Sequence, residues 1–336
     1  MAPRFGILEV PRSVAEAVEH ARIAEAVGFD LVGMADSQSV FREVYGSLAV
    51  VAAQTDRVML GPTVTNPVSR HPAVTASAIA TVDEISGGRA LLGVGSGDSA
   101  VLNLGKQPFR LATMRAFIAA LKDLMAGREV TWEGASVHTG WIGRAVPVYL
   151  AAEGPKTLEL AGELADGVIC GMGVGPGLVE RSLAHVRAGA RRAGRRVEDI
   201  DVWVLARVNI GEDRTALVRQ IRQELASSAH HAFRFTLEGK EVPPQFIDVV
   251  RRIQRGYVPS AHEDLGESAN ARLMDDAEFL DYMAWRFGVV GTPTECAEQV
   301  ERIGAAGADG ILFTGFVPER AELIETIGVQ VAARVR

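Results

Sequence analysis

Eight short apolar runs, each separated from the next by helix-length sequence, recur along this chain and leave it few folds to choose from. They begin at Phe5 (FGILEV), Leu31 (LVGMAD), Val58 (VMLGPTVT), Ala90 (ALLGVGSG), Val146 (VPVYLAAEG), Gly167 (GVICGMG), Asp201 (DVWVLARVNI) and Gly310 (GILFTGF). Such runs alternating with helical patterns describe βα units around a parallel sheet. A doubly wound open sheet uses the same alphabet. Eight units, with the last run near the C-terminus where it can close a ring, favour an α/β fold of the (β/α)8 TIM-barrel type. The first intervening helix is well punctuated: in SVAEAVEHARIAEAVG, Ser13 can cap the start, Glu16 completes a capping box, and Gly28 can stop it.

Two segments break the rhythm. EVTWEGASVHTGWIGRAVP reads as a small hairpin before the fifth run, with β-branched and aromatic residues flanking EGA. A longer interruption spans residues 226–287, with helical pieces around FIDVVRRIQRG and DAEFLDYMAWRF, and precedes a helix start at VVGTP. Inserted material of this size builds lids and substrate walls. The expected organisation is one barrel domain over 1–336, carrying 226–287 as such a wall.

With 48% hydrophobic residues in 336, the chain can bury a substantial core. A net charge of −7 gives no footprint for nucleic acid, and the pairs Arg191–Arg192 and Arg195–Arg196 sit among acidic neighbours. Cys170 and Cys296 lie far apart without metal-ligand or disulfide spacing, so no metal is expected. The start MAPRFGILEV lacks a leader pattern, and no apolar run reaches the roughly 20 residues that span a bilayer. The expectation is a cytoplasmic protein with no membrane partner.

In a parallel barrel the C-terminal strand ends build the site. Here they carry Asp36; the stretch GPTVTNPVSRHP with Thr63, Val64, Thr65 and Asn66; GSGDS with Gly97 and Asp98; EGPKT with Glu153, Gly154, Lys156 and Thr157; and GMGVGPG with Gly171, Met172 and Gly173. Gly, Asp and Ser also serve as ordinary turn and cap residues, and Asp98 reads equally well as a helix cap. The fifth loop says more. Gly154 before Pro155, at a first helical position, leaves backbone donors free for an anion, with Lys156 and Thr157 adding a charge and a hydroxyl. Glycines after the next run would bring further donors to the same phosphate.

The ordered set NPVSRHPAVTASAIATVDEISGGRALLGVGSGD, VPVYLAAEGPKTLELAGELADGVI and FGVVGTP resembles the bacterial luciferase-like oxidoreductases, most closely their methylenetetrahydromethanopterin reductase-type branch. The resemblance covers nearly the whole chain. It implies a barrel binding either coenzyme F420, an 8-hydroxy-5-deazaflavin, or reduced FMN. It also implies a bulge after the third strand that backs the cofactor ring, with a cis peptide at Thr63–Val64. One departure stands out: where the archaeal reductases carry a glutamate after FGI, this chain has Leu8, and Glu9 points to the other face of a regular strand.

Three functions follow from that resemblance. The first is hydride transfer between reduced F420 and a small organic substrate; the second, an FMN-dependent monooxygenase using oxygen; the third, a catalytically silent flavin-binding barrel. Asp36, His230 and His231 are the catalytic candidates, and His230, His231, Phe233, Phe235 and His262 of the insertion are candidates for shaping the substrate pocket. For each histidine a solvated or structural role competes. The resemblance further implies a homodimer and a separate reductase to supply reduced cofactor. The small-residue helices YGSLAVVAAQ and AVTASAIATV suit dimer contact, although packing within one barrel explains them nearly as well.

Overall fold

The computed structural model describes every residue except Met1, Pro11, Pro176 and 262–266, so His262 lies outside the described residues. Among the described residues eleven strands form: β1 (Arg4–Glu9), β2 (Leu31–Met34), β3 (Met59–Pro62), β4 (Leu92–Val94), β5 (Val130–Trp132), β6 (Ala135–Val137), β7 (Val148–Ala152), β8 (Gly167–Cys170), β9 (Asp201–Ile210), β10 (Gly288–Gly291) and β11 (Gly310–Thr314). Hydrogen bonding runs β3-β2-β1-β11-β9-β8-β7-β4, all parallel, and bridges at Leu60–Ala90 and Thr65–Val94 return β4 to β3. The eight apolar runs therefore make the eight staves of a TIM barrel. β5 and β6 form the expected hairpin, turning on Glu133 and Gly134, both at positive φ.

One element departs from the sequence reading. The helix expected to start at VVGTP does begin at Thr292, but Gly288–Gly291 ahead of it forms a strand the sequence did not announce, β10, which pairs in parallel with Arg207–Ile210 of β9. β9 is long enough to serve β11 with its first half and β10 with its second. Thr292 then opens the next helix, Pro293–Ala305, through a capping box with Glu295.

Side chains alternate across each stave. Leu31, Leu91, Tyr149, Ile169, Trp203 and Leu312 fill the lumen, while a larger cluster packs strands against the surrounding helices. The fully buried Trp203 plugs the lower lumen because Gly6 and Gly310 make room for it. A Cβ on Gly6 would lie 2.8 Å from its ring, and one on Gly310 2.6 Å.

Below the plug, carboxylates staple the strand starts. Asp30, Asp166 and Asp309 each precede a strand, and each exchanges two bonds with a residue of the neighbouring stave. Their amides donate to the carbonyls of Phe5, Val148 and Val202, and their side chains accept the amides of those same residues at 2.8, 2.9 and 2.8 Å. Glu25 accepts the amides of Asp56, Arg57 and Val58 at the entry to β3, which holds its carboxyl below the usual range against a modest burial penalty.

The segment 226–287 takes in most of the helix Arg222–Phe233 and the helices Ile247–Gly256 and Ala277–Phe287, the last two where helical pieces were expected. Among the described residues no helix is long and apolar enough to cross a membrane.

Candidate active site

The C-terminal mouth of the barrel opens into a cavity walled by the strand ends and by the helix Arg222–Phe233. Its floor is the segment after β3. The Thr63–Val64 peptide is cis, as the resemblance implies. Val64 stands close over Gly93 and Gly95, where a Cβ on either would lie 2.9 or 2.5 Å from the valine methyls. Gly97 adopts φ 93°, a left-handed conformation that suits glycine, and lets the β4 loop fold over the floor.

Thr63, Val64, Thr65, Asn66, Gly97, Asp98, Glu153, Asp36 and His231 all line this cavity, drawn together from five places in the chain. Two polar atoms at the floor have no partner among the described residues: the Thr63 hydroxyl and the Asn66 side-chain amide nitrogen, both on buried residues. The Asn66 carbonyl is spent on the amides of Val68 and Ser69, each at 3.0 Å, which turns the chain. Buried donors are normally satisfied, so an orphaned pair at a cavity wall marks a place where an outside acceptor fits.

Asp36 is fully engaged. Its carboxylate accepts the Thr65 hydroxyl at 2.6 Å and is gripped by Arg70 at 3.1 and 3.3 Å, and Arg70 also reaches Glu43 at 2.7 Å. These bonds make Asp36 an anchor for the floor segment through the SRHP turn.

Asp98 is the centre of the second charge cluster. His231 Nε2 contacts one carboxylate oxygen, Arg234 donates to the other at 2.7 Å, and His230 Nε2 lies 3.3 Å away without an aligned hydrogen bond. Burial opposes its charge, but the two imidazoles and the guanidinium outweigh that and hold the carboxyl well below its usual range. Burial pushes the His230 imidazole down, and the ring stacks on Tyr257 at 4.1 Å. Asp98 precedes the short helix Ser99–Leu102 but makes no side-chain cap bond, so its carboxylate serves the cavity.

Ser227, His231 and Arg234 reach the cavity from one side of the insertion helix and the residue after it, at helical spacings of four and three. Phe233 is buried against Phe287, Phe235 is exposed beside Arg234, and neither lines the cavity.

The fifth and sixth loops lie to one side. Gly154 caps the helix Pro155–Leu164 with no side-chain cap bond, Thr157 is half-buried at its first turn and Lys156 points to solvent. A residue not anticipated lies over this helix start. Lys240, 4% exposed, brings its Cε within 3.3 Å of where a Cβ on Gly154 would be, and its ammonium donates to the Ala232 carbonyl. Burial lowers its pKa, opposed by Glu153 and reinforced by Arg234 and Arg286. In the sixth loop Gly171 lies beside the Glu153 side chain and donates to Ala152, the Met172 carbonyl accepts from buried Arg286, and Gly173 packs on the backbone of Arg286.

Leu8, the residue after FGI, lines the cavity. Glu9 faces outward, buried with His20 and Arg320 at 3.0 Å each. Against the cost of burial, the Arg320 charge and the bond to His20 hold its carboxyl below the usual range. Arg207 and Arg234 went unmarked in the sequence. The signal for Arg207 was there, since it continues the inward alternation of Trp203 and Leu205 at the upper end of a stave.

A closed parallel barrel with a polar cavity at its C-terminal mouth is the architecture of a TIM-barrel enzyme. The luciferase-like monooxygenase family profile matches residues 3–310, and the chain belongs to that family. It is 33% identical over 341 residues to the 5,10-methylenetetrahydromethanopterin reductase of Methanolobus tindarius, covering 97% of this chain and 99% of the relative. It is 34% identical over 241 residues to the F420-dependent glucose-6-phosphate dehydrogenase of Nakamurella multipartita, covering 66% of this chain and 69% of that one. The structure of the coenzyme F420 dependent tetrahydromethanopterin reductase from Methanopyrus kandleri superimposes with a TM-score of 0.78 at 25% identity over the whole of both chains.

Proposed function

We propose that this chain is an F420-dependent oxidoreductase that transfers a hydride between the reduced deazaflavin and a small organic substrate at the barrel mouth. The carrying observation is the cavity floor, where Val64 offers an apolar surface and the orphaned Thr63 hydroxyl and Asn66 amide offer hydrogen bonds at its edge. A planar ring with carbonyl acceptors matches that combination. The names of the similar proteins favour the deazaflavin over FMN.

Bound there, the cofactor would supply or accept the hydride. The chain's own residues have separable tasks. Thr63, Val64 and Asn66 orient the ring, and Thr65 with Asp36 stiffens the floor. The helix start at Gly154 and Thr157, with Lys240 above it, suits the tail phosphate. His231, held by Asp98, is placed to move a proton at the substrate, and the wall formed within 226–287 restricts water. With Leu8 in place of a carboxylate, the substrate differs from the archaeal pterin.

The reading extends to a cytoplasmic homodimer served by a separate reductase. Two free buried thiols suit a reducing compartment. Val50, Val74 and Ile85 stand exposed on the helices Val44–Ala52 and Pro72–Ser86, the ones singled out for dimer contact. A dimeric mass by sedimentation at micromolar concentration is expected, and a monomer there would remove that part.

Titration of the purified chain with reduced F420 and with reduced FMN, with oxygen uptake followed in parallel, tests the main reading. Saturable binding of F420 without oxygen uptake is expected. Binding of FMN alone with oxygen consumption would replace it by a monooxygenase, and binding of neither by a silent barrel. Thr157→Val and Gly154→Leu should weaken cofactor binding far more than substrate binding; unchanged cofactor affinity in both would displace the phosphate assignment.

A further inference from the structure

Arg207 is an arginine where a barrel lumen ordinarily holds an aliphatic side chain. On β9 the residues Trp203, Leu205 and Arg207 point inward in rising layers, and Arg207 lines the cavity while being 6% exposed. A guanidinium cannot shed its proton, so burying one requires an anion or a full set of acceptors. Among the described residues Arg207 has one loose ion-pair partner, Glu224, and not a full set of acceptors. Its recorded hydrogen bond is Nε to the Ser228 hydroxyl at 2.8 Å.

Two of the carboxylates lining the cavity are committed elsewhere, and the third, Glu153, has no ion pair with Arg207 among the described residues. Asp36 belongs to Arg70 and Thr65, and Asp98 to Arg234 and His231. The nearest carboxylate, Glu224, keeps an oxygen 3.9 Å from Arg207 NH1, beyond hydrogen-bond reach, and accepts the Phe316 amide and, at 3.5 Å, the Thr314 hydroxyl. We infer that Arg207 is the anchor for a carboxylate on the substrate, with Glu224 as the residue that positions the guanidinium and sets how much of its charge is free. This rests on the reading of the cavity as the substrate pocket, but not on the identity of the cofactor.

A carboxylate fits better than a phosphate, because the fork of one guanidinium, in a cavity that Ser227 also lines, matches two coplanar oxygens. Burial drives the Glu224 carboxyl up to about 7, against the pull of Arg207 and Arg320 and the bonds from Thr314 and Phe316. These groups face it from β9, from the helix Arg320–Thr326 and from the segment that ends β11. Near neutral pH Glu224 is therefore protonated in a large share of molecules, and Arg207 then has no ionised partner at 3.9 Å. A bound carboxylate and an ionised Glu224 compete for one cation, so binding should tighten as pH falls through 7.

The experiment is calorimetric titration of the full chain, with and without reduced F420, using acetate against acetamide and benzoate against benzamide. Wild type is expected to prefer the carboxylate of each pair by at least about tenfold. Arg207→Gln should abolish the preference, and Arg207→Lys should retain part of it. Glu224→Gln should keep tight carboxylate binding at pH 8 and flatten the dependence between pH 6 and 8, which a purely structural role would not do. Equal affinity for acid and amide, no carboxylate binding in wild type, or a preference that survives in Arg207→Gln overturns the inference. If Arg207→Gln fails to fold, a Glu224→Gln variant with wild-type pH dependence overturns it as well. Cofactor titration is read separately, so loss of F420 binding with the carboxylate preference intact counts against the proposed function alone.

Discussion

The two ends of the barrel hold similar residue types and use them in opposite ways. At the lower end Asp30, Asp166 and Asp309 each close a two-bond exchange with a neighbouring stave, and Asp201 takes the Tyr149 hydroxyl at 2.6 Å and the Trp203 indole at 3.0 Å. These groups are satisfied by the chain itself. At the upper end the Thr63 hydroxyl and Asn66 amide have no partner among the described residues, Arg207 lacks a close anion there, and two imidazoles and a guanidinium crowd one carboxylate. Polar groups that close on one another stabilise a fold, whereas those left open, or matched unevenly, wait for something the fold does not contain.

Asp98 offers the largest test of that contrast. Asp98→Ala would leave His230, His231 and Arg234 facing one another, with a stability loss of about 3–5 kcal/mol and at least about a hundredfold loss of kcat/KM. Its depressed pKa also sets a sign. The carboxylate stabilises the fold above its unfolded pKa of about 3.9, and that contribution disappears as pH falls below it. Chemical denaturation from pH 6 down to 2 should show an acid loss in wild type that is smaller in the variant.

Glu224 should slope the other way. Its folded pKa is raised, so the native state holds an extra proton between about pH 4.5 and 7, and stability declines as pH rises through that window. Glu224→Gln should flatten the decline in melting temperature measured from pH 5 to 8.

The lower end predicts stability without chemistry. Asp309→Ala removes the staple on Val202 and should cost about 1–3 kcal/mol by denaturant titration, with kcat/KM per folded molecule unchanged. A fall in kcat/KM beyond threefold would dissolve the distinction between the ends.

The smallest expected change sharpens it most. Thr63→Val deletes a hydroxyl that bonds to none of the described residues, so stability should hold within about 0.5 kcal/mol or rise, while cofactor binding weakens about fivefold. A clear loss of stability with unchanged cofactor affinity would show the hydroxyl to be structural.

The contrast also measures what reading the chain accomplishes. The staves were legible because each apolar run is local and carries its own period. The floor residues from Thr63 to Asn66, together with Gly97, Asp98 and Glu153, were legible because strand ends in a parallel barrel share one face. The packing of the sixth loop was not: Gly173 lies against the backbone of Arg286, more than a hundred residues away, and nothing within the loop announces it. Strand β10 hid for a similar reason, since four residues of GVVG say nothing about the spare length of β9 that they pair with.

By itself, then, the order of residues determined the eight βα units, the family and the polar rim of the mouth, since these depend on short-range periodicity and on motifs within single loops. Only the tertiary structure decided which charges are spent and which are available. Asp36 went to Arg70, Asp98 to His231 and Arg234, Lys240 came to lie over Gly154, and Arg207 was left beside a carboxyl that burial keeps from ionising fully. The physical reason is that pairing and desolvation depend on distances across the barrel, and those distances exist only once the ring has closed.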